Sequence, residues 1–147
     1  MIGEFEFFHG AVIARMLRAT QQAILVTPYS ESDNAAYVIN GDRGIYIKYC
    51  TKRLSPWRFS FNERHHEKIE QMKQELGKVF VVLVCNDDGA VVLTSEEFQQ
   101  VAGNDGNPGQ WISAARNRRQ MYLINGSDGK LAFKIGKDDF AEKIFGP

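Results

Sequence analysis

Between Gly44 and Phe61 the sequence sets four cations, Lys48, Lys52, Arg53 and Arg58, among the aromatic residues Tyr46, Tyr49 and Trp57. Cations neutralise phosphates and aromatic rings stack on bases, so this mixture suits nucleic acid. Tyr46, Lys52, Arg53, Trp57 and Arg58 are therefore the candidate binding residues, with Lys48 between them. Arg116, Arg118 and Arg119 would widen the patch if the C-terminal strands lie nearby. The same residues also admit a plainer assignment. Lys52 and Arg53 would then be solvated turn residues, Trp57 and Phe59 core, and Arg58 stacked on an aromatic neighbour.

Other reactive side chains carry weaker signals. His65 and His66 are consecutive on a predicted helix, so they point about 100° apart and cannot chelate one ion as residues four apart can. With Glu63 and Glu67 beside them they read as surface residues. His9 falls among apolar neighbours on another helix, as a hydrogen-bonded core histidine does. Cys50 and Cys85 sit in apolar runs and read as buried reduced thiols, with no histidine placed to activate either. Asn86-Asp87-Asp88-Gly89 lacks the acid that closes an EF-hand loop and reads as a turn.

The elements that must hold these residues follow from periodicity. Apolar spacings of three and four from Phe5 to Ala19 predict a helix. Ala23 to Thr27 reads as a strand ended by Pro28, Tyr29 to Asn34 as a polar loop, and Ala35 to Ile39 as a second strand. Two glycines in Asn40 to Gly44 predict a hairpin into a third strand, Ile45 to Cys50. Along it Ile45, Ile47 and Tyr49 face one way and Tyr46, Lys48 and Cys50 the other, which puts Lys48 on a sheet. Trp57 to Phe61 alternates as a fourth strand. A helix from about Glu63 to Leu76 follows, capped by Asn62 and stopped by Gly77. Val79 to Cys85 has the continuous apolar character of a central strand. Ala90 to Leu93 returns as a strand, and Thr94 with Glu97 predicts a capping box. Gly103 to Gly109 is a glycine-rich loop, the candidate linker. Extended segments are expected at Trp111 to Ala115, Met121 to Ile124 and Leu131 to Ile135, and a last helix from Asp138.

This order, α-β-β-β-β-α-β, resembles the core of the PD-(D/E)xK nuclease superfamily, a restriction endonuclease-like fold. The resemblance covers about residues 5 to 85 and includes Lys48, which matches the superfamily's lysine. It implies a single-domain mixed β-sheet flanked by helices, with a metal site of two acids beside that lysine. Tyr46 stands where the second acid belongs, so the pattern is degenerate. A neutral phenol is a poor ligand for a hard divalent cation. Asp33 can stand as the first acid, and Glu4 or Glu6 can supply another. The resemblance thus implies Lys48 and Asp33 as catalytic residues and Mg²⁺ or Mn²⁺ as cofactor if the protein cleaves, and no cofactor otherwise. Gly44 to Phe61 also resembles the signature segment of a group of small bacterial proteins of uncharacterised activity.

The 147 residues carry 18 basic and 18 acidic side chains, so no long-range field gathers polyanions and any binding needs a local patch. Length and composition fit one domain, 1-147, with a core over 5-102 and a C-terminal hairpin and helix extension over 110-146. No apolar run nears the ~18 residues that span a bilayer, and Glu4 and Glu6 stand where a signal peptide is basic, which suggests the cytoplasm. The leading expectation is a non-cleaving partner of DNA or RNA. The alternative is a protein-interaction or small-ligand module, a homodimer anchored by Trp57 and Trp111, of a mobile-element or phage-defence accessory type.

Overall fold

The computed structural model describes residues 1–103, 109–137 and 139–146, without the side chain of Ala141. Most of the expected Gly103 to Gly109 loop, and Asp138, lie outside the described residues. The elements run α1 (Glu4–Ala19), β1 (Val26–Ser30), β2 (Asp33–Ile39), β3 (Arg43–Cys50), β4 (Trp57–Phe61), α2 (Glu63–Leu76), β5 (Lys78–Cys85), β6 (Gly89–Thr94), α3 (Ser95–Ala102), β7 (Gln110–Ala115), β8 (Leu123–Gly126), β9 (Gly129–Lys130) and α4 (Phe140–Phe145).

Five strands form one mixed sheet in the order β1-β2-β3-β5-β6. β1, β2 and β3 are an antiparallel meander, and α2 crosses over to bring β5 parallel to β3 from Arg43↔Lys78 to Cys50↔Cys85. The alternation expected of β3 sorts its side chains between two clusters. Ile45 and Ile47 join Val12 and Met16 of α1 and Phe140 and Ile144 of α4 on one face. Tyr46 packs on the other face with Ile69 and Met72 of α2 and with the aromatic side of β4. Gly44 lets α2 come close, since a Cβ there would lie 2.7 Å from Met72 Cε.

Three expectations need correction. The strand expected over Ala23 to Thr27 lies at Val26–Ser30 and contains Pro28. A proline is tolerated there because β1 is an edge strand. The single sheet is in fact two. β4 forms where expected but leaves the meander and opens a second antiparallel sheet, β4-β7-β8-β9. Trp57, Phe59 and Phe61 point from it into the core, while Arg58 and Ser60 face solvent. Beyond β9, Leu131 to Ile135 forms no strand: it makes the isolated bridge Tyr122↔Ile135, and the Leu131 amide donates to the Ile124 carbonyl at 3.1 Å.

Local signals otherwise fold as the side chains dictate. The amide of Glu97 donates to Thr94 Oγ1 at 3.1 Å while Glu97 Oε1 accepts from the amide of Thr94 at 2.9 Å. Glu97 Oε1 also receives Lys143 Nζ at 2.8 Å, which ties α4 to α3. Cys50 and Cys85 are free thiols.

Candidate functional site

A cleft of ≈ 660 Å³ opens between α1, the start of β2, the end of β3 and the first turns of α2. Asp33, Tyr46, Lys48, Arg64, His65 and Lys68 line it. The antiparallel register, with Ala36 opposite Tyr46, carries the beginning of β2 alongside the end of β3 and so brings Asp33 to the same end of the sheet as Lys48.

Lys48 is half-buried, its Nζ 5.4 Å from the centroid of the Phe61 ring. Burial lowers its pKa, and the charge of Asp33 works in the opposite direction. Among the described residues four ion pairs form, and none joins Asp33 to Lys48. One Asp33 oxygen instead accepts the Ala35 amide at 2.9 Å.

Tyr46 is 2% exposed, so its ring is core and only its edge reaches the cleft. Burial first and the Asp33 charge second push its phenol above its ordinary pKa, against Arg64, and it stays protonated. His65 sits 6.1 Å from Tyr46, ring centroid to ring centroid. Its Nδ1 accepts the Asn62 amide at 3.1 Å, which fixes the neutral tautomer with the proton on Nε2. Burial, followed by the nearby Lys48 charge, pulls this imidazole down to about 4 despite Asp33. The surface position expected for the histidine pair is therefore wrong on both counts. His65 lines the cleft, and His66 is buried against Phe61 and Phe98.

This donor set does not fit a hard divalent cation. Such ions take several oxygen ligands, and Tyr46 replaces one carboxylate with a neutral phenol. Among the described residues no three of His, Cys, Asp and Glu are grouped to hold a metal. Glu4 lies toward Tyr49, whose phenol is pushed up by burial and then by the Glu4 charge, and Glu6 caps α1 by accepting the amide of Gly3 at 2.9 Å.

The remaining candidates separate from the cleft. Trp57 is 3% exposed and its Nε1 donates to the Lys52 carbonyl at 2.7 Å, so its ring is not available for stacking and its role as a binding residue is withdrawn. Lys52 Nζ donates to the Pro56 carbonyl at 3.1 Å. Arg53 is exposed and lines neither the cleft nor the groove that follows. Arg58 lies over Trp111, 4.4 Å from its ring centroid, in a second groove with Cys50 and Lys52. Arg116 does not extend the patch. Its Nε and Nη2 donate to the two carboxylate oxygens of Asp88 at 2.6 and 2.7 Å, an internal pair.

Arg64 and Lys68 escaped the sequence reading. They are four residues apart on α2, which places both on one helix face, but the alternating Glu63 and Glu67 disguise that face as a neutral surface.

No protein-family model matches the chain, and no curated protein matches it in sequence. Among solved structures it is similar to Hjc from Archaeoglobus fulgidus, a Holliday junction resolvase from an archaeal hyperthermophile, with a TM-score of 0.50 and 10% identity over 95% of this chain and 99% of that one. At that identity the likeness establishes the fold, a mixed α/β domain of the restriction endonuclease-like class.

Proposed function

We propose that the chain is a nucleic-acid-binding protein that holds a phosphodiester backbone in the cleft with Lys48, Arg64 and Lys68 and does not cleave it. The observation that carries this reading is the cleft's composition. Three cations face two carboxylates, Glu31 and Asp33, at a concave end of a rigid sheet, while a buried phenol takes the place of the second metal-binding acid. Polar contacts reinforce it. Asn62 and the first turn of α2 border the cleft, where the helix's positive end favours an anion. The half-buried Lys48 places one charge at a fixed depth, and Arg64 and Lys68 extend it along the helix.

A second reading, cleavage, has one observation in its favour, the presence of Asp33 and Lys48 in the same cleft. The two separate in a gel experiment. Labelled duplex, four-way junction and single strands are incubated with the protein in EDTA or Mn²⁺. Retarded but intact nucleic acid in both supports binding without cleavage. Mn²⁺-dependent products that disappear in Asp33→Asn would replace it with the nuclease reading.

A further inference from the structure

The second groove plays no part in that proposal, and its chemistry differs from the cleft's. It lies on the outward face of the β4-β7-β8-β9 sheet. Arg58 pairs with Ser113, Ser113 with Asn125, and Asn125 with Lys130, which makes one row across all four strands. Ser60 pairs with Trp111 in the neighbouring row. Arg58, Ser60 and Lys130 are exposed, and Trp111, Ser113 and Asn125 are half-buried.

No residue of these four strands is acidic. Asp128, in the turn between β8 and β9, is held by Gln110 Nε2 at 2.9 Å. The face therefore offers cations at Arg58 and Lys130, a partly open indole already matched to a guanidinium, and two small polar side chains between them. A planar base can stack on this guanidinium–indole pair, and a polyanion is complementary to the cations.

The groove begins on the same strand as the cleft, one residue further along β3. Lys48 and Tyr49 line the cleft, and the next residue, Cys50, lines the groove. Lys52, Arg58 and Trp111 line that groove together.

From this geometry we infer that the outward sheet face binds a single-stranded stretch of nucleic acid, with a base stacked against the Arg58–Trp111 pair and phosphates at Lys52, Arg58 and Lys130. The inference rests on the reading of the cleft only for the class of ligand.

Trp111 itself reports the test, because Trp57 is buried and out of reach of a ligand. Oligo(dT) titrated into the full chain quenches the indole fluorescence saturably. Trp111→Phe removes the quenching, Trp111→Ala and Arg58→Ala each weaken oligo(dT) binding about tenfold, and Lys48→Ala weakens binding but leaves the quenching at saturation. Near-UV circular dichroism of Trp111→Phe, the smaller change, checks that the sheet is intact. Duplex binding that depends on Lys48, with no oligo(dT) quenching and no effect of Trp111→Ala, would overturn this inference alone. Loss of both duplex and oligo(dT) binding would overturn it together with the cleft reading. Equal quenching by polyglutamate would reassign the face to an acidic protein partner.

Discussion

The ammonium of Lys48 stands 5.4 Å from the centre of the Phe61 ring, held between a buried aromatic strand and an open cleft. This position suits a binding residue and costs the fold. Burial lowers the Lys48 pKa, so the folded state disfavours the proton that the unfolded chain accepts freely. The penalty is constant at neutral pH and is relieved only as pH rises through the folded pKa toward 10.5.

Lys48→Met keeps the stem and removes the charge. Its melting temperature at pH 7 rises by ~2–5 °C, and its affinity for nucleic acid falls about tenfold. Scanning calorimetry and a binding titration on one preparation read both. This opposition of stability and function is expected at binding sites.

His65 predicts a pH response. Its folded pKa, about 4, lies below the ordinary 6.5, so between those values the unfolded chain binds more protons and stability falls as pH falls. Above 6.5 the effect is absent. Protonation would also put a hydrogen on Nδ1, which must accept from the Asn62 amide. The difference in melting temperature between wild type and His65→Asn therefore changes between pH 6.5 and 4 and is flat from pH 7 to 8.

Asp88 accepts from Arg116 and from the Tyr122 hydroxyl, and these bonds with the Arg116 charge outweigh burial to hold its carboxyl below the ordinary range. The pair joins the β5-β6 turn to the loop after β7. Asp88→Ala leaves a partly buried guanidinium and phenol unsatisfied and lowers unfolding free energy by about 2–4 kcal/mol. Urea denaturation measures it. Because the wild-type carboxyl has a depressed pKa, the pair's contribution is complete above the ordinary pKa of 3.8 and is lost as pH falls through the folded value.

Tyr46→Glu tests why the cleft fails to fit a metal. A carboxylate at this buried position lowers the melting temperature in EDTA, and Mn²⁺ recovers several degrees of it by binding the folded state beside Asp33. Wild type shows no such recovery.

Much of this architecture is legible in the sequence where local chemistry decides. The Thr94 and Glu97 capping box, the alternation of β3 and the α2 stop at Gly77 depend on nearby residues, and each forms where expected. What a strand pairs with is not local. β4 shows its two faces plainly, yet its partner, β7, lies about fifty residues away, so the second sheet was invisible. The site divides in the same way. The alternation of β3 puts Lys48 on a sheet, whereas Asp33, expected in a polar loop, comes to the same cleft because β2 begins with it and pairs with β3. Trp57 misled because an aromatic residue beside cations has the same sequence signature whether its ring faces solvent or core. Arg64 and Lys68 reach the cleft because α2 begins beside it.

The most direct test of the central claim is the salt dependence of duplex binding, read by fluorescence anisotropy for wild type and the Arg64→Ala/Lys68→Ala double variant, with and without Mn²⁺. Three phosphate-contacting cations predict a slope of log affinity against log salt of roughly −2.7, reduced to about −0.9 in the double variant, with no effect of Mn²⁺. The same slope in both proteins, or no binding at low salt, would contradict it.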